Sequence, residues 1–331
     1  MKPRAPLLSL LLACTSGPPP SVRIVPESQL APGLRLGPHE VVLNGARLFY
    51  RVGGPADVAT PPVVFLHGGP GQGSEHFDGL AGPFMERDLR MVYFDQRGAG
   101  ASERPASGDY SLTTMLEDIA ALQRELGVPK LALIGHSFGA VLALEYAAKY
   151  PEHVSHVIIV DGLWDTSLQC RLRLQVFAAQ RPETYARVRG DSIRADGTKR
   201  NDCDLELRGR GMLGAERHQY EIEAMFPDPS VAARMDSVSN ARNARNTGEA
   251  SNALLSSLNR YRFTAFARLS MPVLVVAGRL DHWGAMSASL RELARLLPDS
   301  RFVEFKQSGH FPYLDEPDRF AKVVSAFIRT R

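Results

Sequence analysis

The chain has 331 residues, of which 44% are apolar and 23% are charged, and its formal net charge at pH 7 is +3. This composition is typical of a soluble globular protein with one large domain, or with a domain that carries a sizeable insertion. The small net charge argues against nucleic acid as a partner. Arginines are frequent over residues 181–246, but they are mixed with acidic residues, so we interpret them as a solvated face.

The first residues differ from the rest of the chain. Lys2 and Arg4 precede an apolar run over residues 7–13, which ends at Cys14 and is followed by prolines. This order predicts an export signal over residues 1–14, and the run is too short to span a bilayer as a helix. The residues that end in Cys14 also resemble a bacterial lipobox, in which the cysteine becomes the lipidated first residue.

A Pro-rich linker over residues 15–36 would then serve as a tether. We therefore expect a periplasmic protein or one attached to the membrane through Cys14. An ordinary export signal is one alternative, and an uncleaved start in a cytoplasmic protein is another.

Two further cysteines, Cys170 and Cys203, lie 33 positions apart (203 − 170). They could form a disulfide in an oxidising compartment, and unpaired thiols are the alternative. Two cysteines at this spacing do not make a metal site, and we expect neither a metal nor another cofactor.

Strands and helices alternate along the first half of the chain. Residues 39–52 predict two strands joined by a type I′ turn at Asn44-Gly45. Buried strands are then predicted at 63–66, 89–94, 131–134 and 154–160, with helices over 75–87, 111–126 and 140–150 between them. This alternation predicts an α/β fold with a mostly parallel sheet flanked by helices.

The alternation stops after Asp161-Gly162. Residues 163–262 carry no strong strand, and helical patterns appear near 167–180, 217–226 and 230–257. It resumes with a strand at 271–278, a helix over 286–297, a strand at 301–305 and a helix over 315–329. We therefore predict a helical cap, residues 163–262, inserted between two parts of one core, residues 37–162 and 263–331.

The sequence Gly135-His136-Ser137-Phe138-Gly139 lies between a predicted strand and a predicted helix. This is the pattern of a nucleophile elbow, a sharp turn that exposes a serine hydroxyl. The flanking glycines fit because larger side chains would collide around the strained serine. The alternative is a Gly-rich turn whose serine caps the helix.

A nucleophilic serine needs a base and an orienting acid. Asp281 follows the strand at 271–278, and His310 follows the strand at 301–305, so both lie at the carboxyl edge of the predicted sheet. We predict Ser137, Asp281 and His310 as the catalytic residues, in the order that α/β hydrolases use. Asp161 is an alternative acid.

Two other histidines are close to these residues in sequence. We expect His136 to pack away from the serine, while His282 could line the pocket. An oxyanion hole needs two converging N–H groups. We assign these groups to Phe138, which follows the nucleophile, and to Gly69 in the glycine-rich loop after the strand at 63–66. No Gly-Lys-Ser/Thr follows that loop, which argues against phosphate binding.

Three motifs together make the resemblance specific. The segments 67–71 (His-Gly-Gly-Pro-Gly), 95–102 (Asp-Gln-Arg-Gly-Ala-Gly-Ala-Ser) and 135–139 resemble the proline iminopeptidase family of α/β hydrolases, over roughly residues 37–331. The resemblance implies a serine prolyl aminopeptidase, and it implies that Arg97 supports the loops around the site.

The resemblance further implies that carboxylates of the cap bind the free amino group of the substrate, since a buried ammonium must be paired. Glu249 and Glu221 are the candidates, with Glu223 as a further one. The chain departs from the family pattern at His282, where some members have glutamate, and at Phe138, where the long-form enzymes have tryptophan. Both departures bear on the preference for proline.

We therefore expect an aminopeptidase that releases N-terminal residues from peptides through an acyl-enzyme. A carboxylester hydrolase acting on a small acyl substrate is the alternative, and a non-catalytic binding protein on the same scaffold is a minor one. Dehalogenases and epoxide hydrolases need a carboxylate where this chain has Ser137. The sequence leaves the oligomeric state open.

Overall fold

The structure, a computed structural model, describes residues 30–242, 245–246, 248–284 and 287–330. Its strands are β1 (Gly37–Leu43), β2 (Ala46–Gly53), β3 (Val63–Leu66), β4 (Met91–Phe94), β5 (Ala99–Gly100), β6 (Leu131–His136), β7 (Val154–Val160), β8 (Arg245–Asn246), β9 (Val273–Gly278) and β10 (Ser300–Phe305). Eight of them form one sheet in the order β1-β2-β4-β3-β6-β7-β9-β10. The pairs β1–β2 and β2–β4 are antiparallel and the other pairs are parallel.

The helices of the core are α1 (Gly82–Met85), α2 (Leu112–Leu126), α3 (Gly139–Lys149), α10 (Ser287–Leu296), α11 (Pro312–Asp315) and α12 (Pro317–Ile328). Those of the cap are α4 (Thr166–Gln180), α5 (Pro182–Gly190), α6 (Asp202–Gly211), α7 (Arg217–Met225), α8 (Pro229–Ala241) and α9 (Glu249–Leu258). A π-helical turn, Phe77–Ala81, precedes α1 where the sequence predicts one weak helix.

The central strands are buried on both faces. Every residue of β3, β4, β6 and β9 is buried, which is why these segments appear in the sequence as continuous apolar runs rather than as alternating ones. Two apolar clusters, one on each face of the sheet, form the core. The predicted α/β-hydrolase fold is thereby confirmed.

The cap differs from its prediction in two details. Helices α5 and α6 are not among the predicted helical patterns, because both are rich in charged residues and lack a long apolar stripe. The short strand β8 lies within the cap and pairs with β5 of the core.

Cys170 on α4 and Cys203 on α6 form a disulfide, so of the two states the sequence left open, the structure has the bonded one.

The core begins earlier than residue 37, where the sequence analysis placed its start. Gly33 and Leu34 are buried, and the hydroxyl of Tyr50 donates a hydrogen bond to the carbonyl of Gly33 (3.2 Å). The predicted export signal over residues 1–14, with Cys14, and the linker as far as residue 29 lie outside the described residues. None of the helices in the described ranges is long and apolar enough to cross a bilayer.

Candidate active site

Ser137 lies on a sharp turn between β6 and α3. Its φ is +52°, in the left-handed region that non-glycine residues rarely adopt. A β-carbon at Gly135 would lie 2.4 Å from the carbonyl oxygen of Gly139, and one at Gly139 would lie 2.0 Å from that of Leu66. Only glycine fits at these two positions, so the sequence enforces the turn that presents the serine.

His310 and Asp281 form a buried hydrogen-bonded pair, with 2.9 Å between Nδ1 and Oδ2. The other carboxylate oxygen, Oδ1, accepts hydrogen bonds from the N–H groups of Trp283 (2.9 Å) and Gly284 (2.7 Å). Burial by itself would raise the pKa of Asp281, but His310 and these N–H groups outweigh it, so that the pKa is lowered. An ionised Asp281 holds the Nδ1 proton of His310 and leaves Nε2 as a base.

The cap contributes to the position of both loops. At the carboxyl end of α7, the carbonyl of Ala224 accepts a hydrogen bond from the N–H of His282 (2.9 Å), and the carbonyl of Met225 accepts one from the N–H of His310 (2.8 Å). The end of one cap helix therefore fixes the backbone beside Asp281 and at His310.

His136 packs away from the cavity, as the sequence predicts, and it is fully buried. Its Nε2 lies 2.9 Å from the backbone carbonyl of His310, so this nitrogen donates and Nδ1 accepts from the hydroxyl of Tyr313 (3.3 Å). Burial, followed by the nearby His310, holds the pKa of His136 well below its usual range. The neutral imidazole thus anchors the backbone of the histidine at the site.

Asp161, the alternative acid, has a different environment from Asp281. Both of its carboxyl oxygens accept the N–H of Gly278, at 3.0 and 3.1 Å. Burial and, after it, the charge of Asp281 hold the pKa of Asp161 well above its usual range. The structure therefore brings Asp281, and not Asp161, to the histidine as its ionised partner.

Ser137 opens onto a cavity of about 170 Å³ that both predicted oxyanion-hole residues, Gly69 and Phe138, also line. Phe138 is the N-cap of α3, where N–H groups have no acceptor within the helix and favour negative charge. The same cavity borders Gly284, at which a β-carbon would lie 2.2 Å from the ring of His310. Trp283 lines the cavity where the sequence analysis considered His282.

The predicted amine-binding carboxylates lie elsewhere, and each has cationic partners. Glu221 accepts hydrogen bonds from Arg217 (2.7 Å) and Arg210 (3.2 Å). Glu249 lies 2.9 Å from Arg104 and accepts a hydrogen bond from the hydroxyl of Tyr110 (2.6 Å).

The further candidate, Glu223, accepts a hydrogen bond from Gln219 (2.9 Å) and lies 4.0 Å from Arg181. The described wall of the Ser137 cavity contains none of the three glutamates. The structure therefore does not bring the expected amine-binding groups to the serine.

Sequence reasoning missed the polar wall of the cavity. Thr166, Gln169 and Arg173 line it from α4, and Asn259 lines it from the end of α9. The three residues on α4 stand at positions i, i+3 and i+7, which is one face of a helix. This spacing was visible in the sequence, but nothing in the sequence indicated that this face meets Ser137.

Arg97 has the supporting role that the resemblance implies. It is buried, and its Nε and Nη2 each donate to a carboxylate oxygen of Asp118 at 2.7 Å. Its Nη1 donates to the carbonyl of Asp109 (3.0 Å). The guanidinium thereby joins the loop after β4 to helix α2 and to the segment before it.

A family model described as the alpha/beta hydrolase fold matches residues 61–317. The chain therefore belongs to the alpha/beta hydrolase fold family. Within it, the chain is similar to the proline iminopeptidase of Heyndrickxia coagulans, with 26% identity over 81% of this chain and 91% of that one.

Two further proteins are similar to the chain over most of their length. The 2-hydroxymuconate semialdehyde hydrolase of Pseudomonas putida is 30% identical over 81% of this chain and 86% of its own. The crystal structure of a proline iminopeptidase-related protein from Thermus thermophilus superimposes with a TM-score of 0.69 at 23% identity, over 88% of this chain and 96% of that one. The resemblance to proline iminopeptidases is thus confirmed, and a hydrolase named for a different substrate is similar to a comparable degree.

Proposed function

We propose that the protein is a serine hydrolase that cleaves an acyl ester or amide through an acyl-enzyme on Ser137. The observations that carry the proposal are the buried hydrogen bond between His310 and Asp281 and the strained elbow that bears Ser137. A base oriented by an ionised acid is the arrangement that activates a serine hydroxyl.

In the proposed reaction, Nε2 of His310 takes the hydroxyl proton while Oγ of Ser137 bonds to the carbonyl carbon. The N–H groups of Gly69 and Phe138 stabilise the oxyanion, because fixed donors cost no reorganisation when the charge develops. His310 then protonates the leaving group. A water, deprotonated by the same nitrogen, releases the acid and restores Ser137.

Among the possible substrates, the cavity best supports one without an ammonium group beside the scissile bond. Arg173 lines the cavity, and Glu221 and Glu249 are paired with arginines away from it. A cationic amine would meet a guanidinium of like charge. We therefore propose a carboxylester hydrolase first.

An aminopeptidase is the second candidate. It is supported by relatives named as proline iminopeptidases, which match 80 to 87% of the chain at 23 to 27% identity. Matches of this length extend over both the core and the cap, so the amide-cleaving activity is the direct competitor of ester hydrolysis.

One panel of substrates separates the two candidates. It contains short acyl esters beside aminoacyl arylamides with free and with blocked amines. We expect the esters to turn over faster, and blocking the amine to leave arylamide cleavage unchanged or improved. If only the arylamides with a free amine are cleaved, the protein is an aminopeptidase and the ester hydrolase proposal is wrong.

The Ser137→Ala variant serves as the control for every substrate in the panel. We expect it to lose on the order of 10⁴-fold or more in rate, because removal of one member of such a triad costs about this much. Retained turnover in this variant would refute the serine mechanism for both candidates.

We also propose that the protein is exported. The Cys170–Cys203 disulfide supports this, because disulfides persist in oxidising compartments. Mass spectrometry of the membrane fraction tests the anchor, and an N-terminus other than acylated Cys14 would exclude lipidation.

A further inference from the structure

The cavity that Ser137 lines also has a cation in its wall. Arg173 shares one face of α4 with Thr166 and Gln169, and all three border the cavity. Its side chain is 19% exposed, so it is largely withdrawn from bulk solvent while it faces the cavity. A charge in such a place acts more strongly than one on the surface, because less water screens it.

The guanidinium of Arg173 is held in place by the catalytic loop. Its Nη1 donates to the carbonyls of Trp283 and Gly284, both at 3.3 Å, and its Nη2 lies 3.2 Å from the sulfur of Cys170. The group is thereby aligned before any ligand arrives, which lowers the entropic cost of binding.

Arg173 has no carboxylate within hydrogen-bond distance among the described residues. The carboxylate oxygen with which it forms an ion pair, on Glu206, lies 3.9 Å from Nε of Arg173, and the same oxygen lies 2.7 Å from Nε of Arg210. Glu206 is therefore paired more closely with Arg210 than with Arg173. Burial leaves the pKa of Arg173 below its ordinary value, with the charge of Arg210 adding to this shift and the charges of Glu206 and Asp281 opposing it.

Asp161 is the carboxyl group that the described wall of the cavity contains, and burial raises its pKa, which favours its neutral form. The ionised Asp281 is not part of that wall, and its oxygens are bound by His310 and by the N–H groups of Trp283 and Gly284. The guanidinium of Arg173 is therefore the cation that the described wall presents beside a nucleophile that acts on carbonyl carbons.

We propose that Arg173 binds a carboxylate on the acyl part of the substrate, so that the enzyme prefers short acyl groups that end in a negative charge. A planar guanidinium matches the two oxygens of a carboxylate better than those of any neutral group. The acyl side is assigned because the cavity borders Gly69 and Phe138, whose N–H groups would hold the acyl carbonyl. The inference rests on the proposed function in taking Ser137 as the acyl acceptor.

The size of the cavity limits the chain length. Its volume of about 170 Å³ suits a short acyl chain. Dicarboxylic half-esters of four or five carbons are therefore the class of substrate that the cavity suits.

The test compares two esters of equal chain length, monomethyl glutarate and methyl valerate, by methanol release. We expect the unmodified protein to have a kcat/KM at least tenfold higher for the half-ester. Arg173→Met should lower kcat/KM for the half-ester at least 30-fold and that for methyl valerate no more than threefold. Arg173→Lys, which keeps the charge without the planar fork, should retain part of the preference.

Arg171→Met is the matched control, because Arg171 lies on the same helix and is exposed. It should change neither rate by more than twofold. If Arg173→Met lowers kcat/KM equally for both substrates, Arg173 only holds the loop of Trp283 and Gly284, and the inference is overturned. Hydrolysis of both esters with equal kcat/KM by the unmodified protein would overturn it as well.

A binding measurement separates this inference from the proposed function. The Ser137→Ala protein is titrated calorimetrically with both esters, which requires no turnover. Tighter binding of monomethyl glutarate that is lost on adding Arg173→Met supports the carboxylate site even if the unmodified protein hydrolyses neither ester. If the unmodified protein hydrolyses both esters and Ser137→Ala binds them with equal affinity, the hydrolase proposal is supported and the carboxylate site at Arg173 is refuted.

Discussion

The core and the cap are built by different forces. In the core, whole strands are buried and two large apolar clusters enclose the sheet. In the cap, the apolar cluster between α4, α5 and α6 consists of Leu174, Val188 and Leu205, with Tyr185 packed against it. Ion pairs such as Arg210–Glu206 and the Cys170–Cys203 disulfide supplement it.

This difference corresponds to a division of roles. The apolar core fixes the loops that carry Ser137, Asp281 and His310, and relatives that are named for different activities match it. The cap supplies charged and polar groups to the cavity, chiefly from α4. Changes in the core should therefore abolish all activity, whereas changes in the cap should alter stability or the choice of substrate.

The largest effect is expected at the acid. Asp281→Asn should lower kcat by roughly 10³- to 10⁴-fold, because the histidine then loses its ionised partner and its correct tautomer. Asp161→Asn should cost less than threefold, because its raised pKa favours the neutral carboxyl, which asparagine resembles, and because asparagine tolerates its φ of +39°. Steady-state kinetics on one ester measure kcat for both variants. A larger loss in Asp161→Asn than in Asp281→Asn would make Asp161 the catalytic acid.

The next effect is expected at Gly284. A β-carbon there would lie 2.2 Å from the ring of His310 and 2.6 Å from Asp281, so the histidine must move. Gly284→Ala should cost on the order of 10²-fold in kcat/KM, since a displacement of about 1 Å has such an effect. Gly190→Ala, at a position with open space in the cap, is the control. Equal kcat/KM values for Gly284→Ala and Gly190→Ala would contradict the close contact of Gly284 with His310.

The disulfide should matter for stability more than for chemistry. The double variant Cys170→Ser/Cys203→Ser releases a loop of 33 positions in the unfolded state, which corresponds to about 3 to 4 kcal/mol in the chain-entropy model. Urea unfolding should detect this loss, and reduction of the unmodified protein should reproduce it. A loss of activity in the folded variant as large as that of Gly284→Ala would place the disulfide in the catalytic machinery.

The smallest effect is expected at the carboxylates that the resemblance implies. Glu221→Gln and Glu249→Gln should each change kcat/KM less than threefold for free-amine arylamides, because both side chains are ion-paired away from the cavity. Tenfold losses confined to substrates with a free amine would restore these residues as amine-binding groups.

The sequence predicted the core well because each strand there has a local signal. Continuous apolar runs at 63–66 and 273–278 mark strands that are buried on both faces. Gly135 and Gly139 flank the turn of the serine, and only glycine fits at these two positions. Asp281 and His310 were found because parallel strands end at one edge of the sheet.

The sequence predicted the cap poorly because its contacts are long-range and polar. Helix α6 begins with a capping box at Asn201, but its charged residues lack the apolar stripe that marks a helix. Arg173 meets the loop of Trp283, 110 positions away, through its side chain alone. Glu221 has the right residue type for an amine site, and only the structure places Arg210 and Arg217 beside it.

The central claim is that Ser137 carries the acyl group. The most direct measurement is the intact mass of the protein, quenched with acid during turnover of an activated short acyl ester, followed by mapping of the modified peptide. We expect one acyl adduct on Ser137 that is absent from Ser137→Ala. Turnover without an adduct and unchanged in Ser137→Ala, or an adduct on another residue, would contradict it.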